Sequence, residues 1–166
     1  VIGTVCSLLP RKGVADLIAA LAQLVGQVSV PLCLLVIGDG PEHNSLVTLA
    51  DDSKYITFLP RYNGIGEIIE HIAASRAYIF PSIEPFGIAP VESLAAGTPV
   101  IGLWKGGALD IIEPGVNGLF FDEQTPHAIV AAVDEFERAP QRFAPRACRA
   151  NGSTSTRSTT PTTTAC

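Results

Sequence analysis

Paired cysteines, long apolar runs and an excess of basic charge are all missing from this chain of 166 residues. The four cysteines lie far apart, so none of them forms a pair spaced like a metal knuckle or a disulfide framework. No apolar run approaches the ~20 residues that a membrane span needs. We expect no signal peptide at the start of the chain. These absences favour a reducing compartment, and we expect a cytoplasmic protein.

Charged residues make up only 16% of the chain, and the formal net charge is -5 at pH 7. We therefore expect neither a duplex nucleic acid nor an anionic membrane surface as a partner of this chain. A mild acidic balance still permits a local basic pocket for a phosphate, because net charge averages over the whole surface. The length suits one domain with a proper core, and the strand-like start at Val1 without a methionine suggests a piece of something longer.

Short apolar runs alternate with segments of helical periodicity along most of the chain. The apolar runs predict strands at 1–9, 32–37, 55–59, 77–80, 99–103 and 118–121. The periodic segments predict helices from Val14, at 45–50, from Ile65, at 91–96 and at 126–138. Continuous apolar strands between amphipathic helices indicate a parallel sheet covered on both faces. We predict an α/β, Rossmann-like, doubly wound domain, in which ligands bind beyond the carboxyl ends of the strands.

The last part of the chain has a different composition. From Ser153 to Cys166, ten of fourteen residues are Ser or Thr. Such a segment cannot bury enough surface to offset its ordering entropy. We therefore predict one domain over residues 1–150 and an irregular Ser/Thr-rich tail over 151–166.

The most informative loop is the segment 81–92, which follows a predicted strand and opens a predicted helix. Unpaired backbone N–H groups at a helix start suit a diphosphate, and Gly87 allows the backbone to approach an anion closely. Glu84 and Glu92 flank this position, and carboxylates suit hydroxyl groups better than phosphates. A nucleotide sugar carries hydroxyls on both sides of a diphosphate. The alternative is a pair of solvated glutamates at a helix start, which the helix dipole favours.

Three further loops at strand ends contain glycine. Lys12, which precedes Gly13, could neutralise a phosphate, although a lone lysine there could also be an exposed charge. The loop Gly38-Asp39-Gly40-Pro41 would let a planar ligand pass close to the backbone, or it is an ordinary turn. We expect Lys105-Gly106-Gly107 to form another flexible loop on the same rim.

Over about 1–150 the chain resembles the C-terminal, donor-binding domain of the retaining glycosyltransferases of family 4, the group 1 glycosyl transferases. The resemblance rests on the Lys-Gly turn, the Gly-Asp-Gly-Pro loop and the run from Ser82 to Glu92, with seven residues between its two glutamates. It continues through the motifs Ala-Gly-Thr-Pro-Val-Ile, Gly-Gly and Gly-Val-Asn-Gly. It implies one half of a GT-B architecture, in which two Rossmann-like domains face each other.

The resemblance also implies roles for individual residues. Glu84 matches the glutamate that holds hydroxyls of the donor sugar, and Glu92 matches the one that binds the ribose. The donor is expected to meet the backbone of Phe86, Gly87 and Ile88, and Lys12 is expected to stabilise the departing diphosphate. Arg61 or Tyr62 occupies the place that borders the nucleobase. Gly38 belongs to the matching glycine loop.

The chain departs from the family pattern at two places. Where the family commonly has Gly-Arg-Leu at the end of the first strand, this chain has Cys6-Ser7-Leu8. Ser7 therefore replaces an arginine that shares the diphosphate with Lys12, which could weaken donor binding by ~1.5–3 kcal/mol. The segment from Ser153 to Cys166 does not resemble the family's final helix, which reaches back to the N-terminal domain.

From the residues and the resemblance together, we predict the donor-binding domain of a hexosyltransferase that uses a nucleotide diphosphate sugar and needs no metal or cofactor. The segment 105–110 resembles mannosyltransferases and favours a GDP-mannose donor over a UDP-sugar. The N-terminal acceptor domain is expected to lie outside this chain, so that the chain alone would transfer little, and any peripheral membrane association would come from that domain. The alternatives are a non-catalytic nucleotide-sugar-binding module and half of a sugar-nucleotide epimerase. An epimerase would need acid/base residues in this cleft, and His43, His71 and His127 do not lie in the right loops.

Overall fold

The computed structural model describes residues 2–25, 32–51, 53–60 and 64–154. For Ile65 and residues 151–154 it describes the backbone only. Six strands form one parallel sheet in the order β3-β2-β1-β4-β5-β6. Their bounds are β1 Ile2–Val5, β2 Leu34–Ile37, β3 Ile56–Leu59, β4 Ala77–Phe80, β5 Val100–Leu103 and β6 Gly118–Phe121. From β1 the chain adds β2 and β3 toward one edge of the sheet, and from β4 it adds β5 and β6 toward the other edge. The direction in which strands are added therefore reverses between β1 and β4.

Among the described residues, six α-helices pack around the sheet, and three short 3₁₀ helices lie in the loops. The α-helices are α1 Val14–Leu24, α2 His43–Ala50, α3 Ile65–Ala73, α4 Ile88–Ala96, α5 Pro126–Arg138 and α6 Pro145–Thr154. The 3₁₀ helices are Pro10–Lys12, Gly106–Asp110 and Pro140–Arg142. In the part of the chain that the structure describes, no helix is both long and apolar enough to cross a membrane.

The helices form two layers with separate apolar clusters. Helix α1 packs against α2 and α5 on one face, and α4 packs against α3 and α6 on the other. The first cluster includes Leu17, Leu46 and Ile129, whereas the second includes Ile72, Leu94 and Cys148. Helices on both faces of an all-parallel sheet confirm the predicted α/β, doubly wound fold.

The predicted element boundaries are close for most of the chain. Strands β4 and β6 and helix α5 have the predicted bounds. The first strand is shorter than predicted, because the chain leaves the sheet after Val5. Leu8 then donates its N–H to Asp39 O at 2.9 Å, and its carbonyl oxygen accepts from Glu42 N at 3.2 Å. The backbone of Leu8 therefore pairs with the loop after β2 and not with a strand of the sheet.

Two other predictions need correction. The segment at 105–107, predicted as a flexible loop, leads into the 3₁₀ helix Gly106–Asp110. The tail predicted to be irregular from residue 151 begins inside α6, which continues to Thr154. Helix α6 packs on α4, and Arg149 Nη2 donates to Ala96 O at 3.2 Å. The predicted domain boundary at 150 therefore falls within a helix, and residues 155–166 lie outside the described residues.

Candidate functional site

The point where β1 and β4 separate forms a crevice at the carboxyl edge of the sheet. These strands pair only at Ile2↔Ala77 and Gly3↔Tyr78, whereas β1 and β2 stay paired as far as Val5↔Ile37. The Tyr78 hydroxyl fills the gap, since it donates to Val5 O at 2.9 Å and accepts from Val5 N at 3.3 Å. In doubly wound folds, ligands bind above such a reversal of strand order.

Lys12 and Glu84 meet at this crevice. Lys12 ends the 3₁₀ helix that follows β1, and Glu84 lies in the loop that follows β4. The Lys12 ammonium forms an ion pair with Glu84 Oε1, which also accepts from Ser82 Oγ at 3.1 Å. Lys12 is only 8% exposed, so the alternative of an exposed lysine is wrong. Both contacts use Oε1, so that Oε2 is the oxygen left to accept a hydrogen from a ligand hydroxyl.

Gly106 and Gly107 support the backbone of the Glu84 loop. Gly107 donates its N–H to Glu84 O at 2.7 Å, and a Cβ at Gly107 would lie 2.6 Å from Pro85 O. Gly106 has a φ of +65°, and a Cβ there would lie 2.5 Å from Glu84 O. These glycines therefore hold Glu84 in place through backbone contacts rather than forming a free loop.

Helix α4 begins directly beside this loop, with Gly87 as its N-cap. Pro90 has no N–H, and Val91 donates its N–H to Gly87 O at 3.1 Å. The first-turn amides of Ile88 and Ala89 are therefore the donors that this helix end can offer to an anion.

A cavity of about 400 Å³ opens at the start of α4. Four of the residues predicted to bind the donor line this cavity: Phe86, Gly87, Ile88 and Glu92. Phe86 is 81% exposed and Ile88 70% exposed, so both present apolar surface to the cavity. Desolvation by burial raises the pKa of the Glu92 carboxyl. The remaining lining residues were not assigned donor contacts from the sequence, although all but Ile111 lie in the segments 81–92 and 105–110: Pro85, Val91, Gly107, Asp110 and Ile111.

Ser7 and Gly38 line a second cavity of about 180 Å³, together with Cys6 and Asp39. A Cβ at Gly38 would lie 1.9 Å from Cys6 O, so the glycine is required by the contact between two loops and not by a ligand alone. Burial raises the pKa of the Cys6 thiol to about 11, while the nearby Lys12 charge acts in the opposite direction. Cys6 therefore lines this cavity and lies within reach of the Lys12 charge.

The structure brings the predicted residues together in three groups at one edge of the sheet: Lys12 with Glu84, Phe86 to Ile88 with Glu92, and Ser7 with Gly38. Arg61 and Tyr62 lie outside the described residues. Of the histidines weighed for acid/base chemistry, His43 packs edge-on against Phe58 and His127 lies on α5.

Comparisons with known proteins point to one family. The family model for group 1 glycosyl transferases matches residues 1–153. The chain is 34% identical over 123 residues to a GDP-mannose-dependent alpha-mannosyltransferase of Corynebacterium glutamicum, which covers 74% of this chain and 27% of that protein. It is 31% identical over 147 residues to a GDP-mannose-dependent alpha-(1-6)-phosphatidylinositol monomannoside mannosyltransferase of Mycolicibacterium smegmatis, which covers 82% of this chain and 38% of that protein.

A solved structure gives the same result for the fold. Anabaena Alr3699/HepE in complex with UDP-glucose superposes with a TM-score of 0.76 at 27% identity, covering 92% of this chain and 43% of that one. The chain therefore spans less than half the length of each of these three proteins. The predicted Rossmann-like, doubly wound fold is confirmed, and the chain corresponds to one part of these longer proteins.

Proposed function

This chain belongs to the group 1 glycosyl transferases, and from that premise we propose that it is the donor-binding half of a hexosyltransferase. The donor is a nucleotide diphosphate sugar, and the hexose passes to an acceptor with retained anomeric configuration. The observation that carries the proposal is the partly buried Lys12–Glu84 ion pair, which lies where the strand order reverses.

The diphosphate binds between Lys12 and the start of α4. An ammonium group has three N–H donors, and the ion pair with Glu84 Oε1 occupies one direction, so Lys12 can still donate to a phosphate oxygen. The Ile88 and Ala89 amides face the same anion from the helix end. When the bond to the sugar breaks, negative charge grows on the leaving diphosphate, and these preorganised donors stabilise that charge. No metal ion is needed for this neutralisation.

The two glutamates hold the two sugars of the donor. Glu84 Oε2 accepts from a hydroxyl of the hexose, while Ser82 and Lys12 hold Oε1. Glu92 lines the cavity of about 400 Å³ and accepts from the ribose hydroxyls, since a carboxylate is a strong acceptor. Phe86 and Ile88 present apolar surface beside Glu92 in this cavity, and a bound donor would cover that surface.

GDP-mannose is the donor that we favour over a UDP-sugar. Two of the relatives are described as GDP-mannose-dependent, and the segment at 105–110 resembles mannosyltransferases. The Anabaena protein, in contrast, was solved with UDP-glucose. The acceptor and any catalytic base belong to the part of the relatives that this chain does not cover, so we expect the chain alone to bind donor and to transfer little. We keep the cytoplasm as the proposed compartment.

Calorimetric titration of the chain with GDP, UDP and ADP, each with and without its sugar, tests this proposal. We expect selective binding of one nucleotide, tightened by its sugar and weakened by Glu92→Ala. Glu135→Ala is the matched control, because Glu135 is an exposed glutamate on the far helix α5. Equal binding of all three nucleotides, or equal effects of the two substitutions, would contradict the proposed donor site.

A further inference from the structure

The side-chain amide of Gln124 joins the two loops that carry Lys12 and Glu84. Its Nε2 donates to Pro81 O at 2.7 Å and to Arg11 O at 3.2 Å. An amide nitrogen has two hydrogens, so one group can serve both carbonyls. Arg11 O belongs to the peptide group that leads into Lys12, and Pro81 O belongs to the one that leads into Ser82.

Gln124 itself stands on a well-supported turn between β6 and α5. The strand before it is paired with β5 as far as Leu103↔Phe121, and Trp104 N donates to Phe121 O at 2.9 Å. The helix after it is capped by Thr125, whose side chain accepts from Ala128 N at 3.3 Å. Hydrogen bonds on both sides of Gln124 therefore hold its backbone in place, so that its side-chain amide can fix the positions of the two loops.

Gly13 provides the room that this bridge needs. A Cβ at residue 13 would lie 2.5 Å from Gln124 Nε2 and 3.1 Å from Pro81 Cβ. Gly13 also has a φ of +68°, a conformation that side chains disfavour. Three elements that are distant in sequence thus meet in close contact around one amide group.

We infer that Gln124 is a positioning residue for the donor site: it sets the relative placement of the Lys12 ammonium and the Glu84 carboxylate. The inference rests on the proposed function, because these two side chains are the ones assigned to the diphosphate and the hexose. Gln124 acts through the backbone of both loops and touches neither group of the donor. It does not act on Glu92, which lines the cavity from within α4.

The test compares Gln124→Leu, which keeps the size and removes both donors, with Glu123→Ala, a neighbouring exposed side chain. Each variant of the full chain is titrated with GDP-mannose, UDP-glucose, GMP and UMP, and Gln124→Ala serves as a second variant should the leucine disturb folding. We expect the Kd of the bound sugar nucleotide to rise about tenfold, the effect of losing one well-placed contact, while the Kd of the matching monophosphate changes less than twofold. In a Lys12→Ala background, Gln124→Leu should raise the Kd of the sugar nucleotide by less than a further twofold.

Hydrogen exchange of the backbone amides tests the same inference without a ligand. In Gln124→Leu, but not in Glu123→Ala, we expect faster exchange of the amides at residues 11–13 and 82–84. Equal weakening of sugar nucleotide and monophosphate, or an unchanged Kd for both, would overturn the inference. If the unsubstituted chain binds none of the four nucleotides, the proposed function fails, and unchanged exchange would then overturn the role of Gln124 independently.

Discussion

The ammonium of Lys12 and the carboxylate of Glu84 form an ion pair across the point where β1 and β4 separate. Lys12 is 8% exposed, and Glu84 keeps a second contact from Ser82 Oγ. A cation and an anion are thereby held side by side before any donor arrives. The same two groups are suited to the two parts of a sugar diphosphate.

Breaking this pair from either side should destabilise the protein. Lys12→Met leaves the Glu84 carboxylate with Ser82 alone, and Glu84→Gln leaves a buried ammonium without a counter-ion. We expect each single substitution to lower the free energy of unfolding by about 1–3 kcal/mol, and the double variant to lose less than the sum. Urea unfolding of the four proteins measures this. Additive losses would mean that the pair contributes no coupling.

The pH dependence of stability should report on Glu92. Desolvation raises its folded pKa above the ordinary value near 4.3, so between the two values the native state binds more protons than the unfolded state. Its contribution to stability therefore falls as pH rises through this window. Glu92→Gln removes this partly desolvated charge, and we expect the variant to be more stable than the wild type at pH 7 but not below about pH 4.

Unfolding curves at pH 4 and pH 7 check this expectation, with Glu135→Gln as an exposed control on α5. The same Glu92→Gln variant should bind the donor more weakly at pH 7. A variant that is less stable at pH 7 than at pH 4, relative to the wild type, would show that the Glu92 charge stabilises the folded state.

The buried hydroxyl of Tyr78 should matter for stability. It is the partner of both Val5 N and Val5 O at a position where β4 has moved away from β1. Tyr78→Phe keeps the ring but leaves these backbone groups unpaired, and we expect a loss of about 1–3 kcal/mol in the free energy of unfolding. Tyr55→Phe, at a half-buried tyrosine, should change it by no more than about 0.5 kcal/mol. Equal small effects in both would contradict the bridging role.

Gly106→Ala should disturb the Glu84 loop. The positive φ of Gly106 disfavours any side chain, and the new Cβ would lie 2.5 Å from Glu84 O. We expect a loss of about 1–3 kcal/mol in stability together with weaker donor binding. Gly66→Ala is the control, because a Cβ there meets nothing within 4 Å on α3 and should be neutral or stabilising by up to about 1 kcal/mol. Unfolding and calorimetric titration of both variants would reveal whether the loop contact matters.

Much of the fold could be predicted because its signals are local. Buried parallel strands are continuous apolar runs and the helices show their own period, so the sequence predicts β4, β6 and α5 at their observed bounds. The end of β1 was wrong for a physical reason. The residues from Cys6 to Leu9 are as apolar as a strand, yet Leu8 is buried against the loop after β2 and not in the sheet.

The site was predictable only in part. The positions of Lys12 and Glu84 after strand ends, and of Glu92 in the helix that follows, could be predicted from the sequence, whereas their donor contacts stay predictions. The ion pair depends on strand order, which brings together loops that are distant in sequence. Gln124 and Tyr78 gave no signal, because a lone glutamine near a helix start and an aromatic residue in a strand are common. Their roles depend on backbone carbonyls and amides that no side-chain pattern reveals.

The increment in affinity that the sugar adds is the most direct test of the donor site. It is the ratio of the Kd of the preferred nucleoside diphosphate to that of its hexose conjugate, measured by calorimetry on the wild type and on Glu84→Gln. We predict that the sugar tightens binding to the wild type and that Glu84→Gln removes most of this gain while the bare diphosphate binds almost as before. A sugar increment that is the same in both proteins would contradict the role assigned to Glu84 and, with it, the account of this site as a sugar-nucleotide donor site.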